Sequence, residues 1–266
     1  MRTVSQQLGY TARGEKVIST PGLADIVKAY ERLGLDPVGI RDRHGAPTPL
    51  GALLEGYFQY RAALLNAYVE PRLMDADRAR QVFEELHARL KPSCPIPVNK
   101  QKGAMKAPAY LTGIVNMLIE ANSDQLPCDY DPRQLTTFTR GRTPVRTLAR
   151  RVDGAFPSPV NPVAIWEIKE YYYTTTFGSR VADGVYETLL DGMELEEMKE
   201  HEGIETRHYL MVDSRYTWWV CGKSYLCRII DMLHMGILDE ALFGYEVVER
   251  LPGLVREWVE IAGSYR

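Results

Sequence analysis

The sequence predicts an α/β protein: a central mixed β-sheet flanked by helices, with an added helical region at its N-terminal end. Three observations predict this. Apolar residues recur at helical spacing up to about residue 90. The period shortens toward two within 143–156 and 163–172, where β-branched and aromatic residues gather. Beyond these runs helical and strand patterns alternate, the order expected of a sheet covered by helices. With 266 residues, 45% of them hydrophobic, the chain can bury a full core and carry an appendage. The expected division is a helical region over 1–95 and a sheet-containing core over 96–266.

The helical region opens at Pro21-Gly22, followed by Leu23, Ile26, Val27, Tyr30 and Leu33 on one stripe. A second helix runs from Leu50 through Leu54, Tyr57 and Phe58 to about Tyr68. A third starts near Asp75 and carries Ala79, Val82, Phe83, Leu86 and Leu90. The proline-dense stretch Lys91-Pro-Ser-Cys-Pro-Ile-Pro reads as an extended joint. A helix over 108–121 follows, with Leu111, Ile114, Val115, Leu118 and Ile119 facing inward and Glu120 near its end. Two strands are predicted next, joined by the turn Pro157-Ser-Pro-Val-Asn-Pro162 as an antiparallel hairpin. A further short strand fits around Leu135–Phe138. Ser179 is placed to N-cap a helix bearing Val181, Val185, Leu189 and Met193. His208–Asp213 reads as a strand, and the remainder as helices around Tyr225–Leu233 and Leu254–Ile261.

Composition excludes several classes. Nothing resembles a secretory signal or a membrane span, so a cytoplasmic protein without a membrane partner is expected. Cys94, Cys128, Cys221 and Cys227 show no CxxC spacing, and reduced thiols are expected in place of a zinc site. A net charge of -3 argues against a protein that coats nucleic acid indiscriminately, though not against local basic patches. Gly222-Lys223-Ser224 ends like a phosphate-binding loop, but Thr217 stands where that loop requires glycine. His201, His208 and His234 lack metal-ligand spacing, and no GxSxG occurs.

The chemistry concentrates in Arg150-Arg-Val-Asp-Gly154 and Val163-Ala-Ile-Trp-Glu-Ile-Lys169. Alternate residues of a strand share a face, so Glu167 and Lys169 point the same way, and a hairpin sets Asp153 beside Glu167. Trp166 and Ile168 then face the core. Two adjacent carboxylates repel unless a positive charge lies between them, and a hard cation such as Mg2+ suits oxygen ligands. The Ile168 carbonyl is a further candidate ligand. Lys169 would orient a water or offset charge growing on a phosphate. A second Glu-x-Lys, Glu197-Met198-Lys199, sits in a helical segment that splays its side chains apart.

Asp153, Glu167-Ile168-Lys169 and the order of elements around them resemble the PD-(D/E)XK nuclease superfamily, to which most type II restriction endonucleases belong. The resemblance spans roughly 105–235 and leaves out the N-terminal helices, whose expected role is DNA recognition or dimerisation. Val152 stands where the motif's name has proline. The resemblance implies a Mg2+-dependent endonuclease that cuts double-stranded DNA at a short sequence, leaves 5′-phosphates and works as a homodimer with one site per strand. Asp153 and Glu167 would hold the metal. Glu120 matches the carboxylate that a preceding helix often adds in that superfamily. Lys100, Lys102, Lys106, Arg140, Arg142 and Arg146, together with Ser179 and Arg180 after the active strand, are candidate DNA contacts. The rival readings are a less specific or structure-specific nuclease of the same superfamily and a non-catalytic DNA-binding protein on its scaffold.

Overall fold

The structure is a computed structural model that describes residues 1–12, 17–99, 103, 106–173 and 178–264. Its first part is helical: α1 (Arg2–Leu8), α2 (Leu23–Arg32) and α3 (Pro49–Leu64), which runs through a π-helical turn, Leu65–Val69, into the short α4 (Glu70–Arg72). Thr48 caps α3 by accepting from Gly51 N–H, with Pro49 in the first turn where its missing donor costs nothing. These helices close a small core of Val4, Ile26, Val27, Ile40, Leu54 and Phe58. Beyond them come α5 (Ala76–Leu90), capped by Asp75, and α6 (Tyr110–Asn122).

Four strands form the mixed sheet, in the order β3 (Gly154–Phe156), β4 (Ala164–Lys169), β5 (Arg207–Val212), β6 (Glu240–Phe243). β3 is antiparallel to β4, while β4, β5 and β6 run parallel. The parallel crossovers need helices, supplied by α7 (Ser179–Glu202) between β4 and β5 and α8 (Lys223–His234) between β5 and β6. The last described element is α9 (Glu246–Ser264). A separate two-stranded ribbon, β1 (Thr137–Arg140) with β2 (Thr143–Thr147), turns at Gly141. The sequence predicts a single strand over 143–156; this run divides instead between the ribbon and β3, because β2 pairs back on β1.

Strand alternation sorts the core into two layers. Trp166, Tyr209, Met211 and Leu242 face α5, α6 and α9, where Trp166 and Trp258 stack with ring centroids 5.6 Å apart. On the opposite face Leu210, Val212 and Phe243 pack with Val181 and Val185 of α7 and with α8. Glu167 and Lys169 belong to this second face. α5, assigned by its sequence to the N-terminal part, lies in the same core as α6: Phe83 approaches Gly113 so closely that a Cβ there would stand 2.6 Å from its ring. The N-terminal helices are tied on by a buried ion pair, Arg61 to Asp231 of α8 at 2.9 Å, with Tyr57 donating to the same carboxylate. Among the described residues no helix is long and apolar enough to cross a membrane.

Candidate active site

The β3–β4 register fixes the site. Gly154 lies opposite Trp166, and a Cβ at 154 would stand 2.1 Å from the indole, so glycine alone lets the strands close there. The preceding residue, Asp153, sits at the end of β3. Its N–H donates to the Trp166 carbonyl (3.1 Å), and its Oδ2 accepts from Ile168 N–H (2.8 Å). In an antiparallel pair a residue's N–H and C=O point to the same side, so the Ile168 carbonyl also faces the Asp153 edge. One residue along β4 either way, Glu167 and Lys169 share the other face, with Lys169 Nζ 2.6 Å from Glu167 Oε2. α7 covers them; Gly184 passes so near that a Cβ would lie 3.0 Å from Lys169 Cδ.

The electrostatics follow from this crowding. Burial disfavours the Glu167 charge, but Lys169 and Arg150 outweigh it and hold the carboxyl below its usual range. Burial also works against the Lys169 charge, and Glu167 with Asp153 more than reverses it, so the ammonium is held firmly protonated. Asp153 keeps a solvent-accessible side, yet the protein packed round it, and then the Glu167 charge, push it up to about 6.

Three further residues complete the cluster: Glu187 and Asp191 are absent from the sequence-based site, and Arg150 stands in the sequence only as one of the arginines 140–151 expected to meet phosphate. Arg150, in the loop before β3, reaches Glu167 through both terminal nitrogens: Nη1 to Oε1 at 2.8 Å and Nη2 to Oε2 at 3.2 Å. The same Nη1 donates to Asp191 Oδ2 at 2.6 Å, and Nη2 lies 3.4 Å from Glu187 Oε2. Glu187 also accepts from Lys169 Nζ at 3.0 Å. Asp191 is fully buried, and burial lifts it to about 7 in spite of Arg150. The sequence does carry a signal for the α7 acids: Glu187 and Asp191 stand four residues apart, and Asp191 interrupts the buried stripe formed by Val181, Val185, Thr188 and Leu195. Arg150 has no such signal, being one of a run of arginines.

Other predicted residues fall elsewhere. Glu120 does not join the site: α6 covers the opposite face of the sheet, and Glu120 accepts from Ser93 N–H (3.0 Å) and the Ser93 hydroxyl. Its charge serves to bind the 91–98 segment to α6. Arg140 and Arg146 are drawn along the ribbon to α7, Arg140 to the Glu202 carbonyl (2.6 Å) and Arg146 to Glu197 (3.1 Å). Arg142 is exposed at the ribbon's turn, with no ion-pair partner among the described residues. Ser179 is exposed as the first residue of α7; the N-cap is Gly178, so the expected serine cap is not formed. Arg180 is exposed, its carbonyl accepting from the Tyr171 hydroxyl at 3.1 Å. Lys106 is exposed, while Lys100, Lys102 and 174–177 lie outside the described residues. Glu197 and Lys199 of the second Glu-x-Lys pair outward, to Arg146 and Glu205.

Among the described residues no three His, Cys, Asp or Glu side chains stand as a ready ligand set. At Glu167 both oxygens are engaged by Arg150. The chemistry of the donors still fits a hard divalent cation. Three carboxylates, Glu167, Glu187 and Asp191, pair with two cations, Arg150 and Lys169, and the charge of Asp153 is felt by both, leaving an excess of negative charge on oxygen ligands.

No curated protein and no solved structure matches the chain. The N-terminal helices, residues 1–68, match the family described as domain of unknown function DUF7690. Residues 74–258, which include α5, the whole sheet and the Asp153–Glu167–Lys169 cluster, match a second family over more than half of the chain, and the protein belongs to it: domain of unknown function DUF7687.

Proposed function

We propose that the protein is a magnesium-dependent endonuclease of the PD-(D/E)XK type, a cytoplasmic enzyme that hydrolyses phosphodiester bonds of double-stranded DNA at a short specific sequence and leaves 5′-phosphate ends. The observation that carries this reading is the convergence of Asp153, Glu167 and Lys169 from two adjoining strands, with the Lys169 ammonium 2.6 Å from Glu167. Asp153 and Glu167 would hold the metal, with the Ile168 carbonyl turned to the same edge. When bound, magnesium supplies Lewis acidity toward a phosphate oxygen and a more acidic water.

The chain's own residues supply the rest. Held protonated by its neighbours, Lys169 acts as a donor: its Nζ offsets charge that grows on a phosphate oxygen as the bond breaks. The backbone N–H of Ile168 fixes the Asp153 carboxylate, so one oxygen stays directed and the other is available. Arg142, exposed on a two-stranded ribbon, would contact DNA, since a ribbon of this kind fits the major groove. A homodimer would place one site at each strand.

The test is digestion of a sequenced phage DNA by the purified chain with Mg2+, with and without EDTA. Discrete fragments that disappear in EDTA support the reading. A metal-dependent smear keeps the site and replaces site-specific cutting by less specific cutting. No cleavage of either duplex or single-stranded DNA sinks it.

A further inference from the structure

We propose that Arg150 is a resident cation in this site, and that a divalent metal ion binds by displacing its guanidinium from Glu167. The inference rests on the metal-dependent reading above and concerns a residue that reading does not use. Arg150 Nη1 stands 2.8 Å from Glu167 Oε1 and 2.6 Å from Asp191 Oδ2, so one positive centre is already shared by carboxylates from β4 and α7. That is the place a bridging cation would take; with Arg150 there, no three His, Cys, Asp or Glu side chains among the described residues form a ligand set.

Two observations support the displacement, of which only the first separates this arginine from Arg61, since Asp231 Oδ2 beside Arg61 also lacks a partner. The first is its mounting. Arg61, whose pair with Asp231 ties the N-terminal helices to α8, sits on a helix and is 0% exposed. Arg150 hangs from the loop between β2 and β3 with its side chain 24% exposed, and it can leave by a side-chain rotation into solvent. The second is the condition of Asp191. This fully buried carboxylate has one oxygen on Arg150, while Oδ1 finds no hydrogen-bond partner. A buried carboxylate oxygen without a donor is costly. The cluster therefore holds an acceptor that Arg150 and Lys169 leave unsatisfied, and a divalent ion in the place of the guanidinium would find it. Once displaced, the planar guanidinium stays tethered at the mouth, in a form that suits two oxygens of a phosphate.

The experiment is calorimetric titration of the full chain with Mn2+, comparing wild type, Arg150→Gln and Arg150→Lys, with thermal melts to establish that each is folded. Arg150→Gln should bind Mn2+ at least about tenfold more tightly than wild type, the scale of one charged hydrogen bond that the metal no longer has to break. Arg150→Lys should fall between, at about threefold or more, because a single ammonium cannot bridge Glu167 and Asp191 as the fork does. If Arg150→Gln does not fold, Arg150→Lys carries the test. Mn2+ affinity unchanged or weaker in the folded variants, with wild type binding, overturns the displacement and leaves the metal-dependent reading standing. Absence of Mn2+ binding in wild type and variants alike overturns both.

Discussion

Replacing Asp153 with asparagine should make the protein more stable at neutral and alkaline pH while abolishing cleavage. The amide keeps the shape of the carboxylate and can still accept from Ile168 N–H, so the substitution removes a charge and little else. The magnitude follows from the site. Burial and the Glu167 charge raise Asp153 from an ordinary 3.8 to about 6. At about 1.36 kcal/mol for each pH unit, that corresponds to roughly 3 kcal/mol of folded-state penalty for the ionised form. Asp153 keeps a solvent-accessible side, and screening reduces this to about 1 kcal/mol. The sign is that of a raised carboxyl: the folded chain binds the proton more tightly than the unfolded chain, so stability is present below 3.8 and is lost as pH rises through about 6. Urea unfolding followed by tryptophan fluorescence, in EDTA at about pH 8 and about pH 4, reads the difference. Asp153→Asn should be the more stable by about 1 kcal/mol at the higher pH, with the gap closing toward the lower. A variant less stable than wild type at the higher pH, or a gap that does not change with pH, would refute the view that two carboxylates are held in conflict at this edge.

Glu120→Gln should leave any cleavage rate unchanged, because its partners are Ser93 and the adjoining segment; a loss of activity with the fold intact would return Glu120 to the site. Arg61→Met should cost about 3–5 kcal/mol in urea unfolding by leaving Asp231 buried without its partner. The double substitution with Asp231→Leu should recover most of that loss, and equal costs for single and double variants would contradict the pairing. Asp213 is fully buried, and burial followed by the Glu170 charge raises it to about 8. Its folded pKa lies above its unfolded value, so its contribution is present at acid pH and is lost as pH rises through about 8. Asp213→Asn should therefore show a smaller fall in melting temperature than wild type between about pH 5 and about pH 9; parallel pH curves would sink this assignment.

What the sequence made legible was local. Glu167 and Lys169 share a face because strand alternation requires it, and Asp153 arrives beside them because Asp-Gly precedes a turn-linked partner strand. The face that each helix covers is not local. The apolar stripe of α6 says that it is buried but not on which side of the sheet, and so it does not correct the resemblance that suggests Glu120 for a site lying across the sheet from it. The contacts of Arg150 with Glu187 and Asp191 arise from the crossover of α7 above β4, which no spacing within either element announces. β6 is hidden for a different reason: Glu240–Phe243 is a short buried parallel strand, and four residues between helices carry no period to distinguish them from a helical segment.

The most direct test of the central claim is single-turnover cleavage of linear duplex DNA by wild type and Lys169→Ala at saturating Mg2+, with circular dichroism to match their folds. Wild type should cut and stop cutting in EDTA, and Lys169→Ala should be slower by about a hundredfold or more, the loss expected when a transition-state donor is removed. Cleavage by Lys169→Ala at the wild-type rate, or cleavage that survives EDTA, would contradict the account.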